Sequence, residues 1–282
     1  MKFEPSQIFT GEKTSGDLAF IYWGSSIYLK DGGIPAAGDL EDAGFFGDIG
    51  DDGIDTAVGG MLRSGCFFGS LGGRACFAYH TDSEDVPIGF EAVPLRSCLS
   101  GFDEALWRAC CYSVHLAGWH DRSRFCGRCG APLNPSGTEL SKSCSGCGNV
   151  IFPKISPAII IAVMKDEKIL LAHNSNFSEG RYSLLAGFME IGETIEETAK
   201  REVKEEAGIE IENIRYLASQ SWPFPDSLMI GLTAEYKSGE LVPDGEEILD
   251  AGWFTPENFP LIPGEGTIAR KIIDRCTKKN RS

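Results

Sequence analysis

Three glutamates stand close together at a spacing suited to metal-dependent chemistry. Glu202, Glu205 and Glu206 occupy positions i, i+3 and i+4 of a predicted helix, so their side chains share neighbouring faces. Carboxylates crowded in this way repel one another, and the last two lie at the negative end of the helix dipole. Bound Mg²⁺ or Mn²⁺ would offset that repulsion, bind phosphate oxygens and lower the pKa of a bound water. The charge spacing by itself, however, would favour a solvated acidic helix face.

The elements that would position these glutamates are a helix and the sheet it packs on. Thr194 and Glu197 have the spacing of a capping box, which predicts the start of the helix, and Gly208 is well placed as its C-terminal stop. Arg201 precedes Glu205 by four residues and can pair with it. Apolar residues recur every four positions, and we expect them to face the sheet; they are Ile195, Ala199, Val203 and Ala207.

Four cysteines form a second candidate metal site. Cys126 and Cys129 are followed by fourteen residues and then by Cys144 and Cys147, a spacing typical of tetrahedral zinc. Because protein would fill all four positions and leave none for water, such a zinc would be structural. Redox-active thiol pairs are the alternative. The other six cysteines are scattered, and we expect them to be thiols in a reducing compartment.

A third candidate region is the aromatic loop at residues 219–227. Pro223 and Pro225 restrict its backbone and so lower the entropy cost of binding a ligand. Trp222 and Phe224 offer flat faces to a purine or nicotinamide ring. A structural Trp-Pro loop in the core is the alternative. The residues expected to add hydrogen bonds are Gln220 and Ser227.

Periodicity predicts an α+β protein in three parts. Residues 154–282 alternate strands with two helices, which favours a mixed sheet with helices on it. Residues 123–153 hold the paired cysteines. Residues 1–122 are predicted to form a smaller, mainly β domain, with a strand over 20–29 and a helix from 103 to about 119. The stretch 31–60 is rich in Gly and Asp and predicts turns and solvated loops rather than a calcium site.

The bulk composition limits the function classes. A formal net charge of −15 argues against sequence-independent binding of nucleic acid, although metal ions would still allow one diphosphate to bind. No apolar run approaches the ~18 residues of a membrane span, and the N-terminus lacks the pattern of a secretory signal. We therefore expect a soluble, cytoplasmic protein without a membrane partner.

The glutamate helix belongs to a longer pattern. Gly187 is followed by five residues, Glu193, seven residues and then Arg-Glu-Val-x-Glu-Glu-x-Gly-Ile at 201–209. This pattern resembles the signature of the Nudix hydrolases, with every fixed position matched. The resemblance implies the Nudix fold, a mixed β-sheet sandwiched by helices. It also implies an enzyme in which water attacks a phosphorus of a nucleoside diphosphate linked to another group. The residues expected to support the signature are Gly187, Glu193, Arg201 and Gly208.

The aromatic loop resembles the SQPWPFPxS motif of the NADH pyrophosphatases within that family, with Ser221 in place of the usual proline. Those enzymes also carry a four-cysteine zinc ribbon before the Nudix domain and tend to be homodimers, and we expect both features here. By this resemblance, Glu202, Glu206, Glu247 and the carbonyl of Ala186 would hold Mg²⁺ or Mn²⁺. Glu205 would be a supporting carboxylate or base. The expected substrate contacts are Glu139, Phe152, Gln220, Ser221, Trp222, Pro223, Phe224, Pro225, Asp226, Ser227 and Ala269, with Arg96 as a candidate phosphate contact.

Three functions follow as hypotheses. The first is hydrolysis of NADH and NAD⁺ to nicotinamide mononucleotide, reduced or oxidised, and AMP. The second keeps this chemistry but removes NAD caps from RNA 5′ ends. The third is a zinc-ribbon binding module attached to an inactive hydrolase domain. The complete glutamate set argues against the third, because a domain without bound cations gains nothing from crowded carboxylates.

Overall fold

The computed structural model describes residues 1–43, 63–81 and 84–278. These residues form two compact units. The first comprises Met1–Lys154 and Pro223–Pro225, and the second comprises Ile155–Trp222 and Asp226–Ser282. The predicted borders of the three parts, after residues 122 and 153, stay predictions. Within the described ranges, no helix combines the length and apolar character that a membrane crossing requires.

The first unit is built on a six-stranded sheet. Its elements are β1 (Phe3–Pro5), β2 (Leu18–Trp23), β3 (Ser26–Lys30), α1 (Ala37–Asp42), β4 (Arg63–Leu71), β5 (Arg74–His80), β6 (Phe90–Pro94) and α2 (Glu104–Arg122). The strand order is β1-β4-β5-β2-β3-β6, in which β2 pairs with β5 in parallel and the other pairings are antiparallel. The helix predicted at 103–119 is therefore confirmed, with Asp103 as its N-cap.

Helix α1 corrects one expectation. Turns and loops were expected throughout residues 31–60, yet Ala37–Asp42 is a short helix. The side chain of Asp39 accepts a hydrogen bond from the backbone N of Ala36 at 2.7 Å and pairs with the ammonium of Lys30 at 2.6 Å. These contacts stabilise the helix start through tertiary structure, which local composition does not report. The rest of the Gly/Asp-rich stretch, from residue 44, lies outside the described residues.

The cysteine region forms a small three-stranded antiparallel sheet. Its strands are β7 (Leu133–Pro135), β8 (Lys142–Cys144) and β9 (Val150–Ile151). Leu133 is paired opposite Cys144 in the sheet, so one cysteine of the second pair lies on a strand.

The second unit holds a six-stranded mixed sheet. Its elements are β10 (Ser156–Lys165), β11 (Lys168–Asn174), β12 (Leu185–Phe188), α3 (Ile195–Ala207), β13 (Glu210–Trp222), β14 (Ser227–Ser238), β15 (Ile248–Phe254) and α4 (Ile268–Lys278). The strand order is β13-β14-β10-β11-β15, and β12 also pairs with β10. Strands β10 and β14 run parallel, and the other pairs are antiparallel.

Helices cover both faces of this sheet. Ile159, Ile161 and Val163 of β10 pack in one core with α3, and Ile160 and Ala162 pack in a second core with α4. Successive residues of a strand point to opposite faces, so a strand buried on both sides needs an unbroken apolar run. This accounts for the sequence AIIIAVM and confirms the predicted sheet between helices.

Candidate active site

Helix α3 begins and ends where the sequence predicts. The hydroxyl of Thr194 accepts a hydrogen bond from the backbone N of Glu197 at 3.2 Å, and the Glu197 carboxylate accepts one from the backbone N of Thr194 at 2.8 Å. Gly208 ends the helix in the left-handed region, at φ 74°. Ala199, Val203 and Ala207 are fully buried against the sheet, and Ile195 is half-buried beside them. The opposite side of the helix therefore presents its carboxylates at fixed positions.

Arg201 connects the carboxylates of the signature. Its Nε and Nη2 donate to the two oxygens of Glu193 at 2.6 and 2.9 Å. Its Nη1 lies 2.9 Å from Glu202 and 3.1 Å from Glu205, which confirms the predicted pairing with Glu205. A further bond reaches the carbonyl of Phe188 at 3.0 Å. The guanidinium, with help from backbone and hydroxyl donors, lowers the pKa of Glu193 to about 2, so this carboxylate is ionised at neutral pH.

Gly187 leaves room for the carboxylate of Glu202. A Cβ added at Gly187 would lie 2.0 Å from Cδ of Glu202, far inside van der Waals contact. Burial raises the pKa of Glu202, and Arg201 opposes that rise. The glycine of the signature is thus required by the close approach of a predicted metal ligand to strand β12.

Glu206 is the most unusual carboxylate of the site. Its side chain is buried, with the residue 4% exposed, and among the described residues nothing hydrogen-bonds its Oε2. Burial, followed by the nearby charges of Glu202 and Glu247, raises its pKa to about 8. A buried, unpartnered carboxylate oxygen facing other carboxylates is a donor set that a hard divalent cation would satisfy.

The loop before β15 positions Glu247. The Oδ1 of Asp244 accepts hydrogen bonds from the backbone N of Glu246, Glu247 and Ile248 at 2.8, 3.0 and 2.9 Å. Asn174 donates from Nδ2 to Glu247 at 3.0 Å. Sequence reasoning did not identify Asp244 or Asn174. The Asp-Gly pair at 244–245 was the available signal for the first, since Asp commonly accepts backbone bonds in turns.

The oxygen atoms of the predicted carboxylate ligands do not lie as close to one another as the sulfur atoms of the four cysteines do. Among the described residues, the cysteine group is the one set of three or more metal-ligating side chains whose donor atoms all lie within 4.8 Å of one another. Ala186 lies on β12 opposite Ile160 of β10, next to Gly187. The carboxylate oxygens of the glutamates are therefore spread over a wider space than the four sulfur atoms.

The four cysteines fit a tetrahedral zinc. Sγ atoms of Cys126 and Cys147 are 3.8 Å apart, and those of Cys129 and Cys144 are 3.4 Å apart. The glycine after each pair has positive φ, 77° at residue 130 and 70° at residue 148, as the knuckle geometry requires. Backbone N–H groups of residues 128 and 146 point at sulfur, at 3.4 and 3.3 Å, and would stabilise thiolates.

Gln220 is engaged at both ends of its amide. Its Nε2 donates to the carbonyl of Gly266 at 2.9 Å, and its Oε1 accepts from the backbone N of Ile268 at 2.8 Å. This side chain therefore fixes the start of α4 to the end of β13. Ala269, in the first turn of α4, is buried in the core.

The remaining loop residues differ in exposure. Asp226 is buried and accepts a hydrogen bond from the hydroxyl of Ser156 at 2.7 Å. Ser227 is also buried, Ser221 is exposed and Trp222 is half-buried. The Asp226 side chain therefore anchors the loop to the start of β10, whereas Ser221 is open to solvent.

The first unit holds the other predicted substrate contacts. The guanidinium of Arg96 lies 4.6 Å from the ring centroid of Phe224, in a cation–π geometry. Both line a cavity of about 570 Å³, together with Pro223 and Pro225. Glu139 is exposed and accepts a hydrogen bond from Ser141 at 3.1 Å. Phe152 is 57% exposed, so its ring is accessible for stacking.

Two parts of the chain match known domain families. Residues 154–276 match the NUDIX domain, and residues 121–152 match the NADH pyrophosphatase zinc ribbon domain. Two proteins named NAD-capped RNA hydrolase NudC, from Citrobacter koseri and Salmonella typhi, are each 45% identical to the chain over 172 residues, which is 61% of this chain and 67% of the relative. A solved NUDIX hydrolase from Nitrosomonas europaea is 23% identical, covers 56% of this chain and 92% of its own, and has a TM-score of 0.49. The chain is therefore an enzyme of the Nudix hydrolase family that carries the zinc ribbon domain of NADH pyrophosphatases.

Proposed function

We propose that this enzyme hydrolyses the diphosphate of NADH and NAD⁺ to nicotinamide mononucleotide, reduced or oxidised, and AMP. The observation that carries the proposal is Glu206, a buried carboxylate with an unpartnered oxygen and a pKa raised to about 8 beside Glu202 and Glu247. Such a group favours a divalent cation, and the metal in turn favours a substrate with phosphate oxygens. The aromatic loop next to the Gln220 bridge supports a dinucleotide with ring systems to stack.

The residues have distinct roles in this proposal. Glu202, Glu206, Glu247 and the carbonyl of Ala186 would hold Mg²⁺ or Mn²⁺, which when bound would neutralise phosphate charge and acidify an attacking water. Arg201 holds Glu205 in place at 3.1 Å, and Glu205 is 60% exposed on its side chain. Glu205 would accept the proton that the water loses. The water oxygen bonds to one phosphorus while the bridging P–O bond breaks towards the other phosphate, which gives two monophosphates.

The direct test is incubation of the full chain with NADH and either metal ion, with products identified by chromatography and mass spectrometry. Glu206→Gln should lower kcat at least about 100-fold, because the metal contributes several kcal/mol to the transition state. Glu196→Gln, at an exposed glutamate of the same helix, is the matched control and should keep the activity. Intact NADH after prolonged incubation with fresh metal would refute the proposal.

Removal of NAD caps from RNA is the second candidate, favoured by the names of the 45% identical relatives. It uses the same residues and the same bond cleavage. A comparison of kcat/KM for NAD-capped RNA and for free NADH ranks the two substrates.

Assembly and location remain proposals as well. We infer a cytoplasmic homodimer. Two Cys-x-x-Cys pairs and six scattered cysteines are a pattern typical of a reducing compartment. Light scattering coupled to gel filtration measures the mass, and a mass of one chain at micromolar concentration would reject the dimer.

A further inference from the structure

A groove of about 920 Å³ lies at the edge of the second unit and is lined by none of the predicted catalytic or metal-binding residues. The end of β10, the middle of β13, the end of β14 and the end of α4 surround it. Three cations and two tyrosines dominate its wall. They are Lys165, Arg215, Arg275, Tyr216 and Tyr236.

The cations of this groove are available to a ligand. In the part of the chain that the structure describes, none of the three forms an ion pair. The ammonium of Lys165 lies 4.1 Å from the ring centroid of Tyr236, and Arg275 makes one long hydrogen bond, 3.5 Å, to the carbonyl of Leu217. Arg215 is exposed. The chain as a whole carries a net charge of −15, whereas this groove brings three cations together.

Two acidic residues also line the groove, but they do not cancel its positive charge. The carboxylate of Glu235 accepts a hydrogen bond from Nδ2 of Asn213 at 2.8 Å, and Asp166 lies in the turn after β10. Three cations against two acids leave a positive balance. Tyr216 is 64% exposed and offers a flat ring to solvent. Cations for phosphates beside an exposed aromatic face are the features that single-stranded nucleic acid requires.

The groove is joined to the substrate loop by two rigid elements. Gln220 binds the first turn of α4, and from there β13 runs back to Arg215, about 17 Å away at ~3.3 Å per residue. Helix α4 runs from Ile268 to Arg275, about 10 Å at ~1.5 Å per residue. Along these elements Arg215 and Arg275 lie within the span of a few nucleotides from Gln220, whereas Lys165 stands about 30 Å along β10 from Ser156, which bonds Asp226 of the loop. Free NADH lacks those nucleotides.

We propose that this groove binds the single-stranded RNA that follows the cap of an NAD-capped substrate, an inference that rests on the proposed pyrophosphatase function. Lys165, Arg215 and Arg275 contact phosphates, and Tyr216 stacks on a base. The groove adds affinity for capped RNA without changing hydrolysis of free NADH. A paired RNA stem binds less well, because its base faces are covered.

The kinetic test compares NADH with a single-stranded NAD-capped RNA of about twenty nucleotides, a length that spans the groove by a wide margin. Arg215→Gln/Arg275→Gln should lower kcat/KM for the capped RNA at least about fivefold at low salt and leave NADH hydrolysis unchanged. Tyr216→Ala should have a similar effect. The matched control is Lys168→Gln/Lys271→Gln, which removes two exposed charges of the same unit that do not line the groove.

A binding experiment separates this inference from the proposed function. In a Glu206→Gln background, fluorescence anisotropy measures the Kd of the same RNA with an NAD cap and with a 5′-hydroxyl. Because the groove variant loses two phosphate contacts, its slope of log Kd against log salt concentration should be smaller than that of the control by about 1.4. Equal Kd values and equal salt slopes in the groove variant and the control would show that the groove does not bind the RNA, even if the enzyme hydrolyses NADH. Weaker RNA binding and a smaller salt slope in the groove variant than in the control would support RNA binding in the groove, even if the enzyme does not hydrolyse NADH.

Discussion

Arg201 donates one hydrogen bond to each oxygen of the Glu193 carboxylate, at 2.6 and 2.9 Å. Glu193 is held in turn by the hydroxyl of Thr198 at 2.8 Å and the backbone N of Glu190 at 2.9 Å. Nη1 of Arg201 reaches the carboxylates of Glu202 and Glu205 in α3. A residue that the signature places eight positions before Arg201 therefore sets the orientation of the arginine, and through it the positions of the predicted catalytic glutamates.

Glu193→Gln should reduce both stability and activity, with a pH dependence of known sign. The pKa of Glu193 is lowered from its ordinary 4.5 to about 2, so its stabilisation is fully present above about pH 4.5 and is lost as the pH falls towards 2. Urea unfolding of both proteins at pH 7, 5, 4 and 3 measures the difference in free energy of unfolding. That difference should be constant at the two higher values and shrink at pH 4 and 3. A difference that persists unchanged at pH 3 would contradict the pairing.

Gly187→Ala should disable the site while the protein remains folded. The added Cβ would lie 2.0 Å from Cδ of Glu202, so the carboxylate must move. A displaced ligand should weaken Mn²⁺ binding and lower kcat at least about tenfold, since second-sphere changes at metal sites cost ~10–100-fold. Calorimetry measures the Mn²⁺ affinity, and circular dichroism checks the fold. Gly101→Ala, where the nearest atom would be 3.8 Å away, is the control and should bind Mn²⁺ normally. Unchanged affinity in Gly187→Ala would remove Glu202 from the ligand set.

The glutamate helix could be predicted in detail because its signals are local. The capping box at Thr194, the stop at Gly208 and the four-residue apolar repeat all lie within fifteen residues of one another, and each acts on the backbone near it. The supports of Glu247 could not be predicted in this way. Asn174 is 73 residues away and reaches Glu247 only after β11 and β15 pair.

The strands of the first unit also differ from those that the sequence predicts. A single strand was predicted over residues 20–29, whereas the structure has two strands that turn at Gly24, with φ 56°. Both strands are rich in aromatic and β-branched residues, and the Gly24-Ser25 pair between them is the local signal that marks the turn. Strand β5 was not predicted either. Its parallel pairing with β2 joins Leu18 to Cys76, a partner fixed by tertiary structure rather than by nearby sequence.

Cys144→Ser should release zinc and destabilise the ribbon. The Sγ of Cys144 lies 3.4 Å from that of Cys129, and an oxygen ligand in place of one thiolate weakens a tetrahedral thiolate site. The zinc content measured by elemental analysis should fall from one zinc per chain towards none, and the thermal unfolding midpoint should drop. Cys276→Ser, at a half-buried cysteine outside the cluster, should keep its zinc. A full zinc content in Cys144→Ser, or none in the parent protein, would contradict a structural zinc and favour redox-active thiols.

Gln220→Ala should separate a supporting role from a direct substrate contact. The variant removes two hydrogen bonds, to Gly266 and Ile268, and leaves both backbone groups without their partner. The expected loss in free energy of unfolding is about 1–3 kcal/mol, measured by urea titration. KM for NADH should rise as the start of α4 loosens. Ser221→Ala, at the exposed neighbouring position, should leave the unfolding free energy unchanged. If Gln220→Ala changed KM but not stability, its amide would have to leave both backbone partners and bind the substrate instead.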